Sequence, residues 1–151
     1  SKMNSVQISE LLRADPHVRD VFVGVYPRDR LPRTVAKNLP RAYLCNTDRH
    51  EDPGEHWVAI YVDKDGQGEY YDSYGLPPLH TSFVNFLNKQ CVSWTYNDRQ
   101  VQGLTSSVCG HHVIFFILHR CRGFPMDTIV QMFGSNLQDN DVLVYDFVFG
   151  Y

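Results

Sequence analysis

The chain has 151 residues, of which 43% are hydrophobic and 21% are charged, and its formal net charge is −3. This length and composition are typical of one domain with an ordinary hydrophobic core, and the negative charge argues against nonspecific nucleic-acid binding as the main function. The four cysteines have no regular spacing, no signal peptide opens the chain, and no apolar stretch reaches the roughly 20 residues of a membrane span. We therefore expect an intracellular protein with reduced thiols and no membrane association.

The first third of the chain is predicted to form one helix and two strands. Apolar residues at near-helical spacing follow Ser5, which we interpret as an N-cap, and the Asp15-Pro16 pair ends this helix. A short β-rich run at 21–25 predicts one strand, and residues 41–46 predict a second. The proline-rich segment 26–40 between them reads as a loop. Its arginine and lysine residues indicate either a solvated basic loop or a docking patch for an anionic partner.

A β-hairpin is predicted in the next segment. After a polar stretch with a turn at Pro53-Gly54, residues 57–62 and 69–73 form two strands around a linker whose Asp65-Gly66 pair favours positive φ angles. A hairpin places the start of its first strand opposite the end of its second strand. We therefore expect His56 and Asp72 to lie at the same end of the sheet.

The second half of the chain alternates helical and extended patterns. Pro77-Pro78 breaks the chain before an amphipathic helix at 83–87, and residues 92–96 predict another strand. A continuous apolar run at 109–121 predicts a buried central helix, and Pro125 opens a further helix at 126–133. Residues 142–149 fit helix and strand equally well. The pattern indicates a single domain over 1–151 of the α+β class, with a mixed central sheet and a buried helix packed against it.

Three distant residues have the chemistry of a cysteine nucleophile with an oriented base. Cys109 lies at the N-terminus of the buried helix, where exposed N–H groups stabilise a thiolate. His56 could accept the thiol proton, and Asp72 could hold the other ring nitrogen. Gln102 stands seven residues before Cys109 and could stabilise an oxyanion together with the Cys109 N–H group. Gly110 carries no side chain that would obstruct a carbonyl approaching the sulfur.

Other interpretations of these residues remain open. Taken singly, Cys109 could be a buried structural thiol, His56 a strand-end polar residue and Asp72 a turn-forming aspartate. A metal-binding module is also conceivable, although a single helix rarely encloses a tetrahedral site. Its donors would be Cys109, His111, His112, His119 and Cys121. A third alternative is an inactive interaction domain descended from a protease, but the complete set of catalytic residue types argues against it.

Three motifs give the sequence a specific resemblance. These motifs are Gly54-Glu55-His56-Trp57, Asp72-Ser73-Tyr74-Gly75, and Val101-Gln102-Gly103 followed by Cys109-Gly110. With them the sequence resembles the adenovirus-type endopeptidases (adenain family), which share a clan with the SUMO- and ubiquitin-like-protein proteases. Weaker similarities at 22–26, 45–47 and 125–127 extend the resemblance over most of the chain.

The resemblance implies an adenain-like cysteine protease fold and a cysteine-type endopeptidase. By resemblance, Cys109 is the nucleophile, His56 the general base, Asp72 the orienting acid and Gln102 the oxyanion donor. Gly54, Trp57 and Gly110 would contribute to substrate binding. The expected substrates are viral or virus-like (transposon-borne) precursor proteins, cut at glycine-containing sites. The alternative is an isopeptidase that acts on ubiquitin-like modifiers ending in Gly-Gly.

The resemblance also bears on activators, cofactors and partners. Cys91 stands where the adenoviral enzyme forms a disulfide with an activating peptide, although a reduced Cys91 is the favoured state here. Asp72 replaces the glutamate of the adenoviral enzyme, and the mild acidity of the chain disfavours activation by DNA. We expect no cofactor and no metal, a protein or peptide substrate, and a monomer. The expected location is the host nucleus or cytoplasm, with the virion as a further site.

Overall fold

The computed structural model describes residues 2–49 and 56–150, which form a mixed sheet with helices on both faces. The strands are β1 (Phe22–Pro27), β2 (Arg41–Asn46), β3 (Trp57–Val62), β4 (Gln67–Tyr71) and β5 (Ser93–Tyr96). The helices are α1 (Ser5–Ala14), α2 (Thr81–Gln90), α3 (Cys109–Arg120), α4 (Met126–Gln131) and α5 (Leu137–Phe149). The predicted α+β class is confirmed.

The sheet has the strand order β1-β2-β3-β4-β5. The two outer pairs, β1 with β2 and β4 with β5, are parallel, whereas β2, β3 and β4 form an antiparallel meander. The predicted hairpin is present, because β3 and β4 pair from Val62 opposite Gly68 to Ala59 opposite Tyr71. Gly66 has a φ angle of 81°, as the Asp-Gly turn requires.

Side chains of the central strands alternate between two apolar clusters, one on each face of the sheet. Ala59 and Tyr61 of β3 point to the cluster built with α1, α3, α4 and α5, whereas Val58 and Ile60 point to the cluster built with α2. Alternation of this kind follows from the two-residue period of a strand, and it leaves β3 buried on both sides. The helix α3, whose residues 109–118 are all buried, therefore lies directly against β3.

Two predictions about helices need correction or completion. Asn4, not Ser5, is the N-cap of α1: its side chain accepts the Gln7 N–H group at 2.9 Å, and the Gln7 side chain accepts the Asn4 N–H group in return. Ser5 is already the first helical residue. The ambiguous C-terminal segment is the helix α5, which is capped by Asn136 and packs against α3. None of the helices within 2–49 and 56–150 combines the length and apolar character that crossing a bilayer requires.

Candidate active site

Three elements begin or end at the same end of the central strands. His56 immediately precedes β3, Asp72 immediately follows β4, and Cys109 is the first residue of α3. The β3–β4 register brings the first two together, and the His56 Nε2 atom lies 2.8 Å from Asp72 Oδ1. The predicted convergence of histidine and carboxylate is therefore present in the structure.

Cys109 completes this group. Its side chain is buried, and the His56 ring is among the groups that lower the pKa of its thiol, so the two side chains are neighbours. Asp72 occupies Nε2 of the ring, and the buried Nδ1 atom makes no hydrogen bond within the described residues. The structure thus groups carboxylate, imidazole and thiol, with a hydrogen bond between the first two and with Nδ1 available to the sulfur.

The electrostatic environment of His56 and Cys109 favours the charged form of each group. Burial alone would lower the pKa of His56, but the hydrogen bond to Asp72, the nearby Cys109 thiol and the charges of both groups raise it to about 9. Burial alone would raise the pKa of Cys109. The neighbouring His56 ring with its charge lowers it instead, and the N–H groups of Trp57 and Gly110 add to this effect. At neutral pH these opposite shifts favour a thiolate and an imidazolium.

The start of α3 contributes to this shift. Val108, the N-cap residue, makes no side-chain capping hydrogen bond. The N–H groups of the first turn are therefore not used by a cap, and the Gly110 N–H group contacts the sulfur. These N–H groups favour negative charge on Cys109.

Asp72 is held rigidly by its neighbours. Its Oδ1 atom also accepts the Tyr74 N–H group at 2.8 Å, and its backbone forms two hydrogen bonds with the Asn97 side chain, at 2.9 and 2.6 Å. Gly75 closes this turn with a φ angle of 73°, and a Cβ atom there would lie 2.5 Å from the Arg99 carbonyl carbon. Asn97 carried no signal in the sequence, because its role depends on β5 lying beside β4.

The His56 ring is also restrained from one face. Tyr74 stacks on it with a centroid distance of 4.6 Å and an interplanar angle of 18°. Asp72 fixes the ring through Nε2, and the stacked tyrosine opposes tilting of its plane. Both contacts come from the single turn that follows β4.

Gln102 is fully buried and its amide is engaged within the protein. The Nε2 atom donates to Ser106 Oγ at 3.0 Å and to the Ser106 carbonyl at 3.3 Å, and the Oε1 atom accepts the Ser73 hydroxyl. The amide nitrogen therefore faces the segment that leads into Cys109.

The three residues expected to bind substrate have different positions. A Cβ atom on Gly110 would lie 3.3 Å from Trp57 Cδ1 and 3.4 Å from Met3 Cβ, so this glycine permits close packing of α3 against Trp57 and the N-terminus. The expectation that this glycine leaves the sulfur accessible to a carbonyl stays a prediction. The Trp57 indole is half-buried and donates to the Met3 carbonyl at 3.3 Å. Gly54 lies outside the described residues.

The remaining cysteines are separate from the site. All four cysteines are free thiols. Cys91 is the C-cap residue of α2, and its sulfur occupies the space that a Cβ atom would need on Gly68, at the turn end of the β3–β4 hairpin. Burial raises the pKa of Cys91 and of Cys121 to about 11, and burial strongly raises that of Cys45. The sequence interpretation of Cys91 as a partner for an activating peptide stays a prediction.

Two of the three histidines of α3 are hydrogen-bonded within the protein. His112 Nε2 lies 2.9 Å from Asp141 Oδ1, and His119 Nδ1 lies 2.7 Å from the Phe115 carbonyl oxygen. Within 2–49 and 56–150, no group of three or more His, Cys, Asp or Glu side chains is arranged to hold a metal ion. The alternative of a metal-binding module therefore has no geometric support among these residues.

Comparison with known proteins relates this chain to viral proteases. No protein-family model matches the sequence. The chain is 33% identical over 99 residues to a thiol protease of Acanthamoeba polyphaga mimivirus, an alignment that covers 59% of this chain and 32% of that protein. It is 26% identical over 179 aligned positions to the protease of Bovine adenovirus 4, covering 96% of this chain and 87% of that protein. The chain thus spans about a third of the mimivirus relative and most of the adenovirus relative.

The solved structures agree with this relationship. The crystal structure of an ASFV protease matches with a TM-score of 0.53 and 22% identity, over 71% of this chain and 42% of that protein. A match at this level of identity concerns the fold. The resemblance seen in the sequence motifs is confirmed: the chain is similar in sequence to a viral thiol protease and to an adenovirus protease, and its α+β fold matches that of a further viral protease.

Proposed function

We propose that this chain is a cysteine endopeptidase in which Cys109 is the nucleophile, His56 the acid and base, and Asp72 the residue that orients His56. The observation that carries the proposal is the hydrogen bond between Asp72 and His56 in a group whose imidazole and Cys109 thiol shift each other's pKa. The raised pKa of His56 and the lowered pKa of Cys109 support it, because an activated thiol requires both.

The reaction follows from these positions. The Cys109 thiolate attacks the scissile carbonyl carbon, and the carbonyl oxygen takes the negative charge. His56 then gives its proton to the departing amine as the C–N bond breaks, which leaves a thioester on Cys109. The neutral His56 next removes a proton from water, and the hydroxide displaces the thiolate and releases the acid. Asp72 accepts the Nε2–H group throughout and holds Nδ1 towards the sulfur.

Stabilisation of the oxyanion is assigned to the Cys109 N–H group and Gln102. The Cys109 N–H group belongs to the uncapped first turn of α3 and is not needed within the helix. Gln102 directs its amide nitrogen towards the segment that precedes Cys109. Loss of one such donor typically lowers kcat by about 10²–10³-fold.

The proposed substrates are polypeptides cut at glycine-containing sites in viral or virus-like precursor proteins. The viral origin and the protease names of the two relatives support this class. The resemblance of the sequence motifs to the adenovirus-type endopeptidases supports glycine at the cleavage site. An intracellular or virion location follows from the same substrate class.

A cleavage assay tests the proposal directly. The chain is incubated with fluorogenic peptides that vary around a central glycine, with and without reductant, beside reporters of ubiquitin-like modifiers. We expect turnover of glycine-containing peptides by the parent and none by Cys109→Ala, whose fold is checked by circular dichroism. Equal turnover by Cys109→Ala would refute the assignment of the nucleophile. Turnover of modifier reporters without peptide cleavage would replace the endopeptidase with an isopeptidase.

A further inference from the structure

Ser73 and Gln102 are joined by both backbone and side-chain contacts. The Ser73 carbonyl accepts the N–H groups of Val101 and Gln102 at 2.9 and 3.1 Å, and the Ser73 hydroxyl donates to Gln102 Oε1. Both side chains are completely buried. These contacts attach the turn that follows β4 to the segment that precedes α3.

The contacts determine which way the Gln102 amide faces. The Ser106 carbonyl can only accept, so the atom 3.3 Å from it is the amide nitrogen. The Oε1 atom must then lie on the opposite side, where the Ser73 hydroxyl is its one donor among the described residues. A buried amide oxygen without a donor is costly, and loss of the hydroxyl therefore removes the contact that favours this orientation over its reverse.

We propose that Ser73 is a positioning residue that keeps the Gln102 amide nitrogen directed at the developing oxyanion. This inference rests on the proposed function. A reversed amide would present its oxygen to a negatively charged oxygen and would repel it, which is why the orientation matters for catalysis. The resting contacts of the nitrogen both end on Ser106. In this proposal the substrate carbonyl replaces Ser106 as the acceptor when it binds.

In this proposal the turn that follows β4 positions both the base and the oxyanion donor. Asp72 holds the His56 ring through its carboxylate, and the next residue, Ser73, holds the Gln102 amide through its hydroxyl. The backbone of Asp72 is fixed by Asn97, which also restrains Ser73. The base and the oxyanion donor are thereby positioned from the same rigid support.

A double-mutant cycle tests the proposal. Steady-state kcat and KM are measured for the parent, Ser73→Ala, Gln102→Ala and the double variant, using the best peptide from the cleavage assay. We expect Ser73→Ala to lower kcat by about tenfold or more, up to the roughly hundredfold loss expected for Gln102→Ala, with little change in KM. In the Gln102→Ala background, Ser73→Ala should change kcat by less than about twofold, because its effect passes through Gln102.

A second measurement separates positioning from general damage to the site. The rate of Cys109 alkylation by iodoacetamide against pH reports the protonation state of the Cys109–His56 pair, whereas the role proposed for Gln102 concerns the oxyanion. We expect this profile to be the same in Ser73→Ala and the parent, and Ser73→Thr, which keeps a hydroxyl, to recover part of kcat. Ser82→Ala is the matched control, since the Ser82 hydroxyl is buried and has no hydrogen-bond partner in the described part of the chain.

The outcomes distinguish this inference from the proposed function. Unchanged kcat in Ser73→Ala, additive losses in the double variant, or an alkylation profile displaced together with kcat would each overturn the role of Ser73. If Gln102→Ala had full activity while Cys109→Ala had none, the protease would stand and this inference would not. Activity in Cys109→Ala would instead refute the protease itself.

Discussion

At the scale of single residues, the site depends on how Asp72 controls His56. The carboxylate selects the protonated nitrogen of the ring, and against the opposing effect of burial it acts with Cys109 to raise the pKa of His56 to about 9. A group with a raised pKa stays protonated at neutral pH and loses its proton as pH rises through that value. The thiolate–imidazolium pair should therefore persist up to about pH 9 and be lost above it.

Asp72→Asn tests this dependence. The amide cannot carry the charge that favours imidazolium and can hold the wrong tautomer, so we expect kcat/KM to fall about a hundredfold or more, with residual activity. The measurement is kcat/KM as a function of pH. In the parent this activity should fall near pH 9, and in Asp72→Asn the fall should occur at lower pH because the pKa of His56 is lower. The control is Asp98→Asn, which changes an exposed carboxylate beside Asn97. If activity fell at the same alkaline pH in the parent and in Asp72→Asn, this account would be contradicted.

The sequence allowed prediction of those residues whose positions follow from local pattern. His56 and Asp72 could be placed together because an Asp-Gly turn fixes the pairing of the two strands on either side of it. Asn97 and Ser73 could not be recognised, because each acts through a neighbour that is distant in sequence. The orientation of the Gln102 amide is set by Ser73 and Ser106, and it likewise depends on packing that no spacing reveals.

At the scale of elements, α5 is connected to the nucleophile helix through Asp141. The Asp141 carboxylate lies 2.9 Å from His112 Nε2 and accepts the Gly103 N–H group at 3.2 Å, so it joins α5, α3 and the segment before Cys109. The His112 side chain is fully buried. Asn140, the preceding residue, donates to the carbonyls of Val101 and Gly134 at 3.1 and 2.9 Å.

Asp141→Ala should therefore destabilise the protein and weaken catalysis. It leaves a buried imidazole nitrogen without its partner, which typically costs about 1–3 kcal/mol of unfolding free energy. Release of the Gly103 N–H group should also loosen the segment before Cys109 and lower kcat by several-fold. Urea unfolding and kinetics well below the transition measure the two effects. Asp146→Ala, an exposed carboxylate on the same helix, should change stability by less than about 0.5 kcal/mol, and equal losses in both variants would argue against the specific role of Asp141.

The C-terminal helix shows where prediction of elements reaches its limit. Tyr145, Phe147 and Phe149 recur every second residue, as in a strand, while Val144 and Val148 recur at helical spacing. Local pattern cannot separate these alternatives, and the structure resolves them through the Asn136 cap and packing against α3. The sequences of β2 and β3 show no helical spacing of apolar residues, and the predicted bounds of both strands are confirmed.

At the scale of the whole molecule, the four thiols differ sharply in their environment. Burial raises the pKa of Cys45, Cys91 and Cys121, whereas only Cys109 has a neighbouring imidazolium that lowers its pKa. The nucleophilic species is the thiolate. Reactivity at neutral pH should therefore be concentrated at one of four chemically identical side chains.

Limited alkylation of the native protein tests this distribution. With substoichiometric iodoacetamide near pH 6.5, we expect modification at Cys109 and less than about a tenth as much at each other cysteine. His56→Ala should abolish this preference, because the pKa of Cys109 then rises. Peptide mass spectrometry measures the modified fraction, and denatured protein, in which all four thiols should react alike, is the control. Equal labelling of the native thiols would contradict the activation of Cys109.

The antiparallel meander of β2, β3 and β4 has a consequence for the newly made chain. Its strands are neighbours in sequence, so it can form early and bring base and acid together before synthesis reaches the nucleophile helix. The sulfur acquires its partner only once that helix docks on the completed sheet. In an incompletely folded chain the Cys109 thiol should therefore have an ordinary pKa and low reactivity, so the activated thiol should appear only late in folding.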